Sequence, residues 1–261
     1  MLLYAIIFLL IFSGFGIAYA FEPIPITVSG TADKIIFDGK WSFEFEWKAS
    51  SLNTYSYDDT TVILRSSHQG DFIYILLDSI TDRYLDTMND YAIVCFDTKN
   101  DKSIKANSDD YCFMTSLDGK NSFVYQGGYT SIRDNYFTKI PNPDEFIGIS
   151  TVSDLNDRYT PMPHPSYEFK IPIKLVGRES VYGFYFLVYD GHTKKSYTYP
   201  QNLESENFIK VPSPSMWGEI YSPDRSLPEF SLPTISLALS IVPIMILTRT
   251  KYRILLDKIN R

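Results

Sequence analysis

Between Phe21 and Trp217 the chain carries no long apolar pattern of period 3.6, and this constrains its fold more than any other feature. In its place stand short runs rich in β-branched and aromatic residues, bounded by Gly, Asp, Asn and Ser. Val62–Ser66 and Phe72–Leu77 flank His68-Gln69-Gly70-Asp71, a turn-rich tetrad that predicts a hairpin. Alternation is imperfect there, because Val62, Ile63 and Leu64 run together. Further strands are expected at 91–96, 111–115, 122–125, 146–152, 167–171, 182–189 and 196–199. With 20 Tyr, 18 Phe and 3 Trp, the composition also favours strands. Nine or ten strands predict an all-β fold, an antiparallel two-sheet β-sandwich of jelly-roll or immunoglobulin-like type. The stretch 127–145 lacks periodicity and is expected to be a surface loop.

The two ends address the chain. Residues 1–20 combine an apolar run with Ala18-Tyr19-Ala20, a small-x-small pattern that fits a cleaved signal peptide. No Lys or Arg precedes the run, so an uncleaved anchor is the alternative. Phe230–Leu247 is free of charge, and its 18 residues span ~27 Å as a helix, close to a hydrocarbon core of roughly 30 Å. Arg249, Lys251, Arg253, Lys258 and Arg261 follow, as on a cytoplasmic flank. The expected organisation is an ectodomain at 21–211, a proline-rich stalk at 212–229, a membrane helix at 230–248 and a basic tail at 249–261. A buried core helix is the competing reading of the apolar run.

Charge limits the partners. Of 31 acidic and 24 basic residues, the tail holds Asp257 and five of the basic ones, leaving 30 against 19 outside it, a net charge of −11. Such a surface repels nucleic acid and anionic lipid.

In Trp41-Ser42-Phe43-Glu44-Phe45-Glu46-Trp47 the aromatics alternate with polar residues. Read as a strand, it places Trp41, Phe43, Phe45 and Trp47 on one face. That face is either core or a platform on which a pyranose stacks, with Trp41 and Trp47 as ligand-binding residues. Glu44 and Glu46 do not make a glycosidase pair, because neighbours on one face cannot flank a scissile bond.

The acidic loop after Asp97 is the candidate metal site. Asp97, Asn100, Asp101 and Asp110, with Asp109, supply the hard oxygens calcium takes, without the glycine and terminal Glu of an EF-hand. A solvated Asp/Asn turn is the alternative. Cys95 and Cys112, the only cysteines, lie in the two strands flanking this loop. Outside the cell they are expected to form a disulfide, with two buried thiols as the other outcome.

Catalysis finds little support. His68, His164 and His192 are scattered, which argues against a zinc site, and His164 lies in a rigid Pro161-Met162-Pro163-His164-Pro165 segment that reads as a spacer. No nucleophile elbow, Cys–His pairing or phosphate-cradling glycine loop occurs. The chain is expected to be non-catalytic and without an organic cofactor.

Several phrases resemble a known group. Ile36-Phe37-Asp38-Gly39-Lys40-Trp41, followed by Glu46-Trp47, resembles the opening of the family-nine carbohydrate-binding-module-like sandwiches, part of the wider DOMON-like group. Asn89–Asp97, Tyr167–Pro172 and Tyr182–Asp190 resemble later strands of that group in the same order, so the likeness spans roughly Ile35–Pro200. The resemblance implies glycan or cell-envelope polysaccharide binding and structural calcium. It also admits a haem-binding electron carrier, for which Met88, Met114 and Met162 are available. A structural envelope protein without a small ligand is a further reading. Glycan binding requires a shallow aromatic groove at one edge or face of the sandwich. Pro228-Glu229-Phe230, followed by the apolar run and basic tail, resembles the PEF-type sorting signal of archaeal surface proteins, which implies an archaeosortase as partner.

Overall fold

The computed structural model describes residues 22–28, 30, 32–43, 45–128, 136–203 and 211–222. The chain divides into two compact units, Met1–Asp224 and Arg225–Arg261, and the second lies outside the described residues. So do the signal peptide, the Pro228-Glu229-Phe230 motif, the apolar run and the basic tail. Among the described residues no helix is long and apolar enough to cross a membrane.

The described strands are β1 (Ile24–Pro25), β2 (Thr27–Val28), β3 (Ser51–Ser56), β4 (Thr61–Gln69), β5 (Phe72–Ser79), β6 (Tyr91–Asp97) and β7 (Asp110–Ser116). They continue with β8 (Ser122–Gln126), β9 (Thr138–Ile140), β10 (Ile147–Val152), β11 (Pro165–Pro172), β12 (Val181–Asp190), β13 (Lys195–Tyr199) and β14 (Gly218–Tyr221). One sheet has the order β1-β14-β12-β6-β7-β8-β9, with β13 also paired to β12. The other has the order β10-β11-β5-β4-β2, with β3 also paired to β4. The chain is a β-sandwich. Pairing is antiparallel except for the short contacts β1–β14 and β2–β4, which are parallel.

The expected hairpin forms between β4 and β5, with Gln69 opposite Phe72. Gly70 supplies the positive φ of 57° at its tip. Between the sheets, Phe113 meets Phe146 at 5.2 Å and Phe186 meets Tyr55 at 5.1 Å, both between ring centroids. Val94, Phe96 and Phe184 share that inner face by register.

Each sheet is also covered on its outer face. Ile93, Cys95, Cys112, Tyr185 and Leu187 pack under Ala106, Phe137, Val211 and Trp217. Tyr74 and Leu76 pack under Ala32, Ile35, Trp41 and Trp47. Strands buried on both faces read as continuous apolar runs, which is why alternation is imperfect in β4, β5, β6 and β12.

Three expectations change. Residues 41–43 and 45–47 are not strand: the backbone turns there, with Glu46 N–H donating to the Phe43 carbonyl and Lys48 N–H to that of Phe45. The Glu46 carboxylate accepts from Ile36 N–H and Ser42 N–H, both at 2.7 Å, so the segment closes on itself instead of extending. Residues 212–222 do not belong to a stalk, because β14 pairs with both β12 and β1 and Trp217 is buried, so the sandwich holds the chain through Ser222. The loop 127–145 contains β9, which adds a seventh position to the order of its sheet.

Candidate functional site

The β4–β3 and β12–β13 edges of the two sheets leave a groove where the sandwich ends. One cleft of about 680 Å³ is lined by Tyr57, Asp58, Asp59, Lys195, Tyr197 and Gln201, among others. A second, of about 560 Å³, is lined by Asn53, Tyr55, Tyr199, Gln201 and Asn202, among others. Gln201 and Asn202 line both, so the two are neighbouring parts of one edge.

Four tyrosines form its aromatic wall. Tyr57 and Tyr197 rings lie 5.2 Å apart, and Tyr55 and Tyr199 rings 5.4 Å apart. Their positions follow from strand alternation: Tyr55 is on β3, and Tyr197 and Tyr199 sit two apart on β13. The Tyr57 hydroxyl donates to the Thr198 carbonyl at 2.7 Å, fixing its ring across the two sheets. Gln201 donates from Nε2 to the Ser56 carbonyl at 3.1 Å, which leaves its Oε1 for a ligand hydroxyl. Lys195 pairs with Asp59 and holds that exposed carboxyl below its ordinary value. Tyr55 and Tyr57 are half-buried and lie over the buried Tyr197 and Tyr199. The two half-buried rings, beside amides and an ion pair, suit a ligand with apolar C–H faces and many hydroxyls.

The acidic loop forms a second feature. Asp97, Asp101 and Asp109 each offer a carboxylate oxygen within 4.8 Å of the others. Asp97 also orders the loop, accepting from Asp101 N–H at 3.2 Å and Lys102 N–H at 2.9 Å. Asp110 accepts from Asn107 N–H at 2.7 Å through Oδ2. Three buried oxygens here, Asn100 Oδ1, Asp109 Oδ2 and Asp110 Oδ1, have no hydrogen-bond partner. Burial pushes the Asp110 carboxyl up to about 7, helped by the negative charges of Asp97, Asp109 and Asp101.

Cys95 and Cys112 stand directly opposite on β6 and β7, 4.1 Å apart between Cα atoms, and form a disulfide. The bridge closes the strand pair from which the acidic loop projects.

The tryptophans singled out in the sequence lie in the core. Trp47 has no exposed surface, and its indole N–H donates to Glu168 Oε1 at 2.9 Å. Trp41 is 3% exposed, with the Tyr159 ring edge-on at 5.8 Å and the Arg65 guanidinium over its face at 5.3 Å. Their faces are filled by protein, which corrects the sugar platform at 41–47 and leaves Phe43 and Phe45 as its exposed aromatics. Glu44 lies outside the described residues. Gly39 N–H donates to the other oxygen of Glu168 at 2.8 Å, so one buried carboxylate ties the Asp38-Gly39 turn and Trp47 to β11. Gly39 has a φ of 91°, and a Cβ there would fall 2.4 Å from the Ser150 carbonyl carbon, so only glycine fits.

His164 is buried, not a spacer, and bonds to Asp78. Met88 and Met162 are exposed, whereas Met114 packs against the outer cluster of the first sheet. Sequence reasoning missed the edge cleft, because β3 had no apolar pattern: its residues alternate between half-buried and exposed.

The fold is a two-sheet β-sandwich with a cleft at one edge, and the comparisons bear on that fold. No family model matches the chain, and no curated protein matches it. Among solved structures it is similar to a family 9 carbohydrate-binding module from Caldicellulosiruptor kristjanssonii in complex with cellotriose. That match has a TM-score of 0.50 and 16% identity, and covers 80% of this chain and 100% of the other. A family 9 module from the same organism in complex with glucose matches at a TM-score of 0.49 and 16% identity, covering 77% and 95%. The first likeness shows a shared fold.

Proposed function

We propose that this chain is a non-catalytic binding module for glycan or cell-envelope polysaccharide, displayed at the cell surface. The observation that carries the proposal is the tyrosine-walled cleft at the β3–β13 edge, with Gln201 and Asn202 at its centre. The cellotriose held by a module of the same fold supports a sugar as the ligand class. Here the half-buried Tyr55 and Tyr57 rings supply stacking faces, backed by the buried Tyr197 and Tyr199, while Asn53, Gln201 and Asp58 supply hydrogen-bond partners. Display rests on the signal-like residues 1–20 and on the apolar run with its basic flank. Pro228-Glu229-Phe230 is part of this proposal as an archaeosortase processing motif, and mass analysis of the mature C-terminus tests it.

Calcium belongs to the same reading. The residues fit the ion: Asp97, Asp101 and Asp109 converge, and Asn100, Asp109 and Asp110 present buried oxygens with no partner. Bound there, calcium would neutralise carboxylates that repel one another and order the loop between β6 and β7.

The test is a glycan array probed with the full-length chain, with and without calcium, followed by titration of the best ligand. Tyr57→Ala and Gln201→Ala are expected to weaken binding by about tenfold or more, each removing about 1.4 kcal/mol or more of contact. Binding unchanged by both would place the sugar site elsewhere. No binding to any glycan would favour a structural envelope role.

A further inference from the structure

The second buried polar cluster lies on the outer face of the β10-β11-β5-β4 sheet, remote in sequence from the acidic loop. His164 Nε2 sits 2.7 Å from Asp78 Oδ1 and 3.9 Å from Asp157 Oδ2. All three side chains are buried, at 0%, 0% and 1% exposure. Asp78 is next to last in β5, His164 leads into β11, and Asp157 lies on the segment between β10 and β11.

The tautomer of His164 follows from its other nitrogen. Nδ1 is 2.8 Å from the Met162 carbonyl, which can only accept, so Nδ1 carries the proton. Ser153 Oγ, also 2.8 Å from Nδ1, accepts from His164 backbone N–H at 3.1 Å and braces the ring. A backbone carbonyl on one ring nitrogen is the arrangement that aims the other at a metal ion. Nε2 accordingly points between two carboxylates, and some cation must stand there: a proton or a metal.

Charge and the unmet carboxylate oxygens bear on which. Asp157 accepts from Tyr159 and Thr160 N–H through Oδ1 only, and its Oδ2 has no hydrogen-bond partner. Asp78 Oδ2 likewise has no partner of ordinary geometry, although Ser166 stands opposite on β11. Among the described residues neither carboxylate is paired with a Lys or Arg. The Arg65 guanidinium is committed to Tyr159 Oη and the Ser50 carbonyl, and that of Arg83 donates to the Met162 carbonyl. A proton on Nε2 alone leaves one buried negative charge, which a second proton on a carboxyl would cancel. A divalent ion with neutral imidazole also cancels it, and in addition gives the unpartnered carboxylate oxygens a ligand role.

We propose that Asp78, Asp157 and His164 form a site for a zinc-class divalent ion that clamps the 153–164 segment onto the sheet. The one-nitrogen, two-carboxylate set suits zinc, cobalt or manganese, whereas calcium takes oxygen ligands alone. Their donor atoms lie within 4.8 Å of one another. An ion with ~2.1 Å bonds holds tetrahedral donors about 3.4 Å apart, so the Asp157 and His164 atoms close slightly and Asp78 opens slightly.

Full-length protein stripped with chelator and titrated with Co²⁺ tests this. One equivalent is expected to bind with a visible ligand-field band that persists in excess Ca²⁺ and is displaced by Zn²⁺. Asp157→Asn, which keeps the side-chain shape, is expected to weaken binding by about tenfold or more. Asp97→Asn in the acidic loop leaves it unchanged. Because a variant can fail to fold, the wild type is also labelled with ¹⁵N-histidine. On adding Zn²⁺, the Nε2 resonance of one buried imidazole is expected to shift, while that of exposed His192 stays. The proposal is overturned if the wild type takes up no Co²⁺, if no buried imidazole shifts, or if folded Asp157→Asn binds Co²⁺ like the wild type.

Discussion

Replacing Trp47 separates a core residue from a sugar platform. Its side chain has no exposed surface, packs with Trp41, Tyr74 and Leu76, and donates its indole N–H to Glu168. Trp47→Ala removes this packing and is expected to cost about 3–5 kcal/mol. Trp47→Phe retains a ring but leaves Glu168 one donor short, at about 1–3 kcal/mol. For a domain of this size each kcal/mol lowers Tm by roughly 2–4 °C, so Ala is expected to lower it by roughly 6–20 °C. The Phe variant also has a pH signature. Burial already raises the Glu168 carboxyl well above the ordinary range, opposed by hydrogen bonds from Gly39 and Trp47. The folded state therefore holds a proton that the unfolded chain releases above its ordinary pKa of about 4.5, and stability falls as pH rises through that window. Losing the indole donor raises the folded value further, so Trp47→Phe is expected to lose more stability at pH 8 than at pH 4. Differential scanning calorimetry of the full-length chain at both pH values measures this, alongside titration with an array-identified glycan. A Tm unchanged in Trp47→Ala, with glycan binding abolished, would refute the reasoning and restore the stacking platform.

The Cys95–Cys112 bridge joins residues 17 apart in sequence, and opening it is expected to cost about 3 kcal/mol; Cys95→Ala/Cys112→Ala is then expected to melt roughly 6–12 °C lower in a thermal scan. Burial, and then the charges of Asp190 and Asp90, raise Asp82 to about 6, so it weakens the fold as pH rises from roughly 4 to 6. Asp82→Asn, which keeps an oxygen for Tyr84 N–H, is expected to flatten that decline and to raise Tm at pH 8, as read in melts across the pH series. Calcium at a hundredfold excess over its Kd is expected to stabilise the chain by about 2.7 kcal/mol; chelator reverses the gain and Asp97→Asn abolishes it, and a wild-type Tm indifferent to chelator would make the acidic loop a solvated turn.

Local pattern was enough for the strands of the sandwich. β-branched and aromatic runs placed β4 to β8 and β10 to β13 within a few residues, because strand formation follows side-chain period and turn chemistry over short stretches. The cysteines were legible for the same reason: each lies in its own strong run, and the runs are joined by one connection, so their strands pair. The 41–47 segment fails this logic. Its alternation is that of a strand, yet Glu46 and Glu168 capture its backbone and indole, and Glu168 arrives from 121 residues away. The edge cleft unites β3 with β13, the Tyr57 hydroxyl meeting Thr198 across 141 positions. Asp78 and His164 meet across 86. Side-chain period tells which faces of a strand can be buried, but the partner that buries them is chosen by the packing of remote segments. The sequence by itself thus determined the strands and set each cysteine in one of two neighbouring runs. Only the tertiary structure decided how the strands share two sheets, which tryptophans are core, where a ligand can enter, and which carboxylates face a histidine.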